Sequence, residues 1–148
     1  MKTLVTYASI GGNTMMVAQK IEELLKQKGH QVSLVDMSEL KVDQLTQYEL
    51  VFIGSSTWGD GEYNDFSQAF FDQLKASSTD LSNVKCAVYG LGESFYPVFC
   101  NVVSLMNNDL TAKKAQIVGD SLKIDGFPDD VIMQSVEAWV ENILSGIK

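Results

Sequence analysis

The 148-residue chain contains no arginine: its 11 basic side chains are all lysine and are outnumbered by 19 Asp and Glu, for a net charge of −8. Nucleic acid and anionic membrane surfaces are bound by neutralising phosphates with cations, so both are expected to repel it, and basic proteins are the partners that long-range electrostatics favours. Without a guanidinium, a bound phosphate has to be held by backbone N–H groups, hydroxyls or Lys. The two cysteines, Cys86 and Cys100, are too far apart for a C-x-x-C motif and too few for a disulfide framework, which predicts a reduced, cytoplasmic chain. The one histidine, His30, has no second His or Cys near it in sequence and reads as a solvated turn residue after Gly29, so no metal site is expected. Long apolar runs are missing as well: the stretch after Met1 and Lys2 is broken by Thr3, Thr6 and Ser9, which excludes a signal peptide or spanning helix there. What is present is ordinary globular composition, 45% hydrophobic and 20% charged, with no repeat, linker or low-complexity segment, which predicts one domain over residues 1–148. Nothing in it points to an oligomer, and a monomer is expected.

Leu4 to Ala8 is a short β-branched and aromatic run, followed by turn and helix-start residues at Gly11-Gly12-Asn13-Thr14. Val17, Ile21, Leu24 and Leu25 then share one helical face, and Gly29 stops that helix. Gln31 to Asp36 reads as a second strand, a weakly amphipathic segment around Leu40, Val42 and Leu45 as a crossover, and Leu50 to Gly54 as a strand buried on both faces. After a loop from Ser55 to Tyr63, a helix is marked by Phe66, Ala69, Phe70 and Leu74, and a strand by Cys86 to Leu91. Val102, Val103, Leu105, Met106 and Leu110 mark the next helix, Ala115 to Ile124 the last strand. Asp129 and Asp130 open a final helix striped by Ile132, Val136, Trp139, Val140 and Ile143. Five successive βα units predict a doubly wound α/β fold: a parallel sheet of five strands with helices on both faces. Ligands of such sheets sit at the carboxyl ends of the strands, so the loops after strands one, three and four become the candidates.

The first of these loops, Ser9-Ile10-Gly11-Gly12-Asn13-Thr14, joins a strand to a helix, where successive N–H groups and the helix dipole suit an anion. A plain N-cap by Asn13 or Thr14 is the alternative. The loop has neither the Lys of a Walker A motif nor the G-x-G-x-x-G dinucleotide pattern, which takes support from ATP and NAD. In the second, Ser56-Thr57-Trp58-Gly59-Asp60-Gly61-Glu62, the glycines leave Trp58 little to pack against, so an exposed stacking face is expected. The third, Gly90-Leu91-Gly92-Glu93-Ser94-Phe95-Tyr96-Pro97, again sets aromatics among glycines, with Pro97 restricting Tyr96 to extended geometry. Together the loops describe a site for a phosphate tethered to a flat heterocycle held between two aromatic rings, the second being Tyr96 or Phe95.

On these three motifs, with Phe99 and Cys100 after the third, the chain resembles the short-chain flavodoxins over essentially its whole length. The resemblance implies strand order 2-1-3-4-5 and FMN as cofactor. It implies that Ser9 to Thr14 and Ser56 wrap the FMN phosphate, Thr57 approaches the ribityl chain, and Trp58 and Tyr96 cover the two faces of the ring. Main-chain groups of Gly92, Glu93 and Cys100 would contact the pyrimidine edge, with Leu91 and Phe99 also among the cofactor-binding residues, and the Gly59 carbonyl would face flavin N5 across the Gly59-Asp60 peptide. Two departures stand out: Gly11 lies where the family commonly carries Thr or Ser, and Glu93 where it carries Asp.

The function so implied is a low-potential one-electron carrier between redox proteins, cycling between semiquinone and hydroquinone, with the acids Asp60, Glu62, Asp65 and Glu93 destabilising an anionic hydroquinone. It would be no enzyme with a substrate of its own. An NAD(P)H-dependent FMN or quinone reductase on the same fold is the competing enzyme class; it needs space and usually cations for a nicotinamide dinucleotide, and this chain has neither an extra segment nor any Arg. A flavin-free protein-binding scaffold is the competing class without redox chemistry. A signalling receiver domain is excluded by Ala8-Ser9 and Gly54-Ser55, which stand where its acids are required.

Overall fold

The computed structural model describes residues 2–58, 61–92 and 100–147, with the side chain of Trp58 left outside. Strands β1 (Lys2–Ala8), β2 (Gln31–Asp36), β3 (Leu50–Trp58) and β5 (Lys85–Gly92) alternate with helices α1 (Asn13–Gln27), α2 (Asp65–Ala76), α3 (Asn101–Ala112) and α4 (Asp130–Gly146). A two-residue strand, β4 (Glu62–Tyr63), precedes α2, and two short strands, β6 (Gln116–Ile117) and β7 (Leu122–Asp125), precede α4. The sheet runs β2-β1-β3-β5-β6, with β7 also paired to β5, and all of these pairs are parallel. With β6 and β7 counted as two pieces of the last strand, this is the doubly wound order 2-1-3-4-5.

Alternate side chains of each central strand feed two cores. Leu4, Ala8, Val51, Ile53, Cys86 and Val88 pack with Phe70, Phe71 and Leu74 of α2 and Val102, Val103, Met106 and Leu110 of α3. Their neighbours Val5, Leu50, Phe52, Ala87, Tyr89 and Leu91 pack with Val17, Ile21 and Leu25 of α1 and Val136, Trp139, Val140 and Ile143 of α4. Because the sheet is covered on both faces, its strands read as continuous apolar runs, which is why they were visible in the sequence.

Four sequence expectations are corrected. The crossover from β2 to β3 carries two 3-10 turns, Met37–Glu39 and Val42–Gln47, in place of a helix; Met37, Leu40, Val42 and Leu45 are buried nonetheless. Helix α2 is rotated from the predicted face: Phe66 is 45% exposed and Ala69 exposed, while Ser67, Phe70, Phe71 and Leu74 are buried. Phe70, Phe71 and Leu74 pack into the core, and Ser67, one turn earlier on the same face, is buried with them beside the Asn64 cap, which accepts from the N–H groups of Phe66 and Ser67. The strand expected over Ala115 to Ile124 is interrupted. Between its two pieces the Trp139 indole N–H donates to the Asp120 carbonyl at 2.7 Å, and Gly119 takes φ +65°, so this stretch leaves the ladder. Ser55 to Trp58 belongs to β3, which then folds back antiparallel as β4, pairing Thr57 with Tyr63.

Gly54 faces Tyr89 across the β3–β5 pair, and the Tyr89 hydroxyl donates to the Thr6 carbonyl of β1 at 2.9 Å. A Cβ on Gly54 would fall inside the Tyr89 ring, which is fully buried and has Trp139 beside it. Overpacking of this kind costs about 1–3 kcal/mol or more. Gly54→Ala is therefore expected to lower the free energy of unfolding by at least about 2 kcal/mol, read as a lower urea midpoint at an unchanged m-value.

Candidate functional site

The register of the three central strands levels their carboxyl ends. Ala8 lies beside Ser55, Ser55 beside Gly90, and Ser56 beside Leu91. The loops predicted to converge therefore leave the sheet at one edge.

At β1, Gly11 and Gly12 take φ +85° and +92°, conformations that glycine adopts without strain, and lead into α1 at Asn13. Gly12 is the N-cap, and no side chain caps this helix, so the cap by Asn13 or Thr14 is not realised. The first-turn N–H groups of α1 thus point out of its end with no side-chain acceptor among the described residues. The Ser9 hydroxyl accepts from Gly12 N–H at 3.1 Å. The Thr14 hydroxyl is buried and has no hydrogen-bond partner. An uncapped helix start beside an unpaired buried hydroxyl is suited to an anion.

At β3 and β5, Gly92 lies against Thr57 and Cys100. A Cβ there would stand 3.1 Å from Cys100 Sγ, 3.2 Å from its backbone N and 3.3 Å from Thr57 Oγ1, a tight fit that glycine avoids. Thr57 Oγ1 is buried and makes no hydrogen bond of normal geometry, with the Cys100 thiol beside it. Cys100 is fully buried, has φ +50° and precedes α3; its thiol points to the carbonyls of Gly90 and Ile124, each at 3.6 Å. Burial pushes this thiol up to about 11 and that of Cys86 up to about 12. Neither is a nucleophile at neutral pH, because the reactive form is the thiolate.

The second loop is anchored from several sides. Asn101 of α3 donates its side-chain N–H to the Gly61 carbonyl at 2.9 Å, and the Tyr63 hydroxyl donates to Asp109 of the same helix at 2.7 Å. Tyr63 is stacked on Phe71 at 4.8 Å; burial, then the hydrogen bond to Asp109, raise its phenol far above the usual range. Asn64, 1% exposed, joins the loop to the ends of β1 and β3. Asn64, Tyr63 and Asn101 were not singled out in the sequence; only the position of Asn64 just ahead of an apolar-periodic segment, an N-cap signal, could have drawn attention to it.

Among the predicted site residues, Ser9, Ile10, Gly11, Gly12, Asn13, Thr14, Ser56, Thr57, Leu91, Gly92 and Cys100 gather at this edge, as does the backbone of Trp58. Gly59, Asp60, Glu93, Phe95, Tyr96, Pro97 and Phe99 lie outside the described residues, as does the proposed turn of the Gly59-Asp60 peptide. His30 is half-buried, its Nδ1 has no partner, and burial lowers its pKa. It follows the far end of α1, away from this edge.

Fold and edge together define a doubly wound α/β protein with an anion-ready helix start and a narrow, glycine-floored approach beside it. The family model for flavodoxins matches residues 5–139. The chain is 36% identical over 150 residues to a flavodoxin of Maridesulfovibrio salexigens, covering 99% of each chain. It is 34% identical over 145 residues to probable flavodoxin 1 of Bacillus subtilis, covering 97% of this chain and 90% of that one. The solved structure of oxidised flavodoxin 2 from Bacillus cereus matches at a TM-score of 0.92 and 32% identity, over 98% of this chain and 99% of that chain. The chain belongs to the flavodoxin family, FMN-binding electron-transfer proteins that turn over no substrate of their own. Among the described residues no helix is long and apolar enough to cross a membrane.

The buried thiols generate a direct test. At pH 8 a thiol-reactive disulfide reagent is expected to label neither Cys86 nor Cys100 in the native protein and both after denaturation.

Proposed function

We propose that residues 1–148 form one FMN-binding domain that carries single electrons at low potential between redox proteins with basic docking surfaces. The observation that carries this reading is the unpaired polar chemistry at the carboxyl edge: the uncapped start of α1, with the buried hydroxyls of Thr14 and Thr57 lacking partners. Bound there, FMN supplies one-electron chemistry through its partly and fully reduced forms.

The chain's own residues then divide the work. The N–H groups opening α1, with the Ser9, Thr14 and Ser56 hydroxyls, hold the phosphate without a full positive charge. Thr57 gives a hydroxyl to the ribityl chain. Gly92 and the backbone at Cys100 admit the edge of the ring, and Trp58 and Tyr96 cover its faces. Gly11 offers no hydroxyl and holds the turn by its positive φ alone.

Charge at this edge supports both the low potential and the choice of partner. Glu62, Asp65, Asp125, Asp129 and Asp130 are exposed around it, with Lys123 of β7 the one described lysine beside them, whereas Lys2, Lys26, Lys28, Lys75, Lys85, Lys113 and Lys114 lie at strand starts and helix ends on the opposite edge. Among the described residues the exposed large apolar side chains, Ile10, Met15, Phe66, Phe127 and Val131, also all lie at the acidic edge. An apolar patch within an acidic rim fits a partner with the complementary basic rim.

A carboxylate about 12 Å from an added negative charge, at an effective dielectric of about 40, costs about 0.7 kcal/mol, or roughly 30 mV for a one-electron couple. In an anaerobic titration at low salt, exchanging Asp60, Glu62, Asp65 and Glu93 for their amides is expected to raise the second one-electron potential by several tens of mV. A potential that does not move removes the electrostatic part of the reading.

A further inference from the structure

Asn64 is buried between the phosphate turn and the start of α2, and its orientation is fixed by its neighbours. The backbone N–H groups of Phe66 and Ser67 can only donate, and both reach Oδ1 at 3.0 Å. The amide nitrogen therefore faces the other way. Its two protons meet the Ala8 carbonyl at 3.0 Å and Ser56 Oγ at 2.8 Å, with Ser55 Oγ at 3.3 Å and the Ser56 carbonyl at 3.5 Å as longer contacts. Ala8 is the last residue of β1, immediately before the turn at Ser9 to Thr14.

The consequence lies in the proton count at Ser56. A hydroxyl has one proton and two acceptor sites. Because Ser56 Oγ accepts from Asn64, its own proton remains to be donated elsewhere, and Ser56 is only half-buried. Ser55 differs: its hydroxyl lies within reach of the Ser56 carbonyl and of Ser67 Oγ, both at 2.9 Å, and is used up inside the protein. Ser9 repeats the Ser56 pattern, accepting from Gly12 N–H and keeping its proton.

We infer that Asn64 is a positioning residue for the phosphate: its amide donates to Ser56 Oγ and so keeps the Ser56 proton free for the anion. This rests on the reading that Ser56 holds the FMN phosphate. Asn64→Asp separates the two ends of the side chain. Its carboxylate still accepts from Phe66 and Ser67, and Asp is as good an N-cap as Asn. It cannot donate to Ser56, whose proton then turns inward to it.

The test is calorimetric titration of FMN, and separately of riboflavin, into the full chain freed of flavin. Asn64→Asp is expected to weaken FMN binding at least about tenfold while riboflavin binding stays near that of the unaltered protein, as for the loss of one hydrogen bond to a charged group. In a Ser56→Ala background the same exchange is expected to add little to the phosphate-selective loss, because the two residues act through one bond. An equal loss for both flavins, or a loss undiminished by Ser56→Ala, overturns the inference: the first makes Asn64 a residue of the fold alone, the second leaves only through-space repulsion. If Ser56→Ala by itself shows no phosphate-selective loss, the placement of the phosphate at Ser56 fails, and the inference falls with it. Loss with Ser56→Ala but none with Asn64→Asp overturns the role of Asn64 and leaves that placement standing.

Discussion

Everything at the candidate site depends on the register of three parallel strands. Ala8, Ser55 and Gly90 lie in one row across β1, β3 and β5, so the loops that follow begin at one level. A shift of one residue in any of these strands would exchange its two faces and send its apolar set to the wrong core. The register is held from both sides of the sheet, since Leu4, Val51 and Cys86 pack towards α2 and α3, while Val5, Phe52 and Ala87 pack towards α1 and α4. Tyr89 adds a polar lock through the sheet, reaching from β5 past Gly54 of β3 to the Thr6 carbonyl of β1. The positions that fix the site are therefore mostly apolar residues that touch no ligand.

This explains what the sequence made legible. Strands buried on both faces show as unbroken apolar runs, and the glycine-rich segments between them show as turns, so the parallel sheet and its ligand edge could be anticipated from Leu4 to Ala8, Leu50 to Gly54 and Cys86 to Leu91, while the strand order came only with the family resemblance. Helix phase was less accessible. Phe66 and Ala69 have the spacing of a buried stripe, but the face that packs into the core is the one carrying Ser67, Phe70, Phe71 and Leu74, so Phe66 and Ala69 face outward. The last strand misleads for a similar reason, because the partner of the Asp120 carbonyl is the indole of Trp139, distant in sequence. Side chains whose function is to hold backbone carbonyls, such as Asn64 on Ala8 and Asn101 on Gly61, leave no periodic trace. Long-range polar contacts of this kind are legible only once the chain is folded.

The absence of arginine gains a structural meaning. A phosphate held, as proposed, by an uncapped helix start and by hydroxyls would keep most of its negative charge, at the edge where Glu62, Asp65, Asp129 and Asp130 are already exposed. The segregation of charge follows from a local rule. A helix favours acids in its first turn and bases in its last, typically by 0.3–1 kcal/mol each. In a doubly wound fold every helix runs antiparallel to the sheet, so all the first turns lie at one edge and all the last turns at the other, and the preferences of separate helices add into one molecular field. Helices α2 and α4 follow the rule with Asp65 and Asp130 in their first turns. Helices α1 and α3 begin beside the candidate site and have no acid there. An acid in either first turn would compete with a bound anion for the same N–H groups. The two helix starts that could serve the cofactor are thus left free of side-chain charge, while those further along the edge supply the acidic rim that a basic partner would meet.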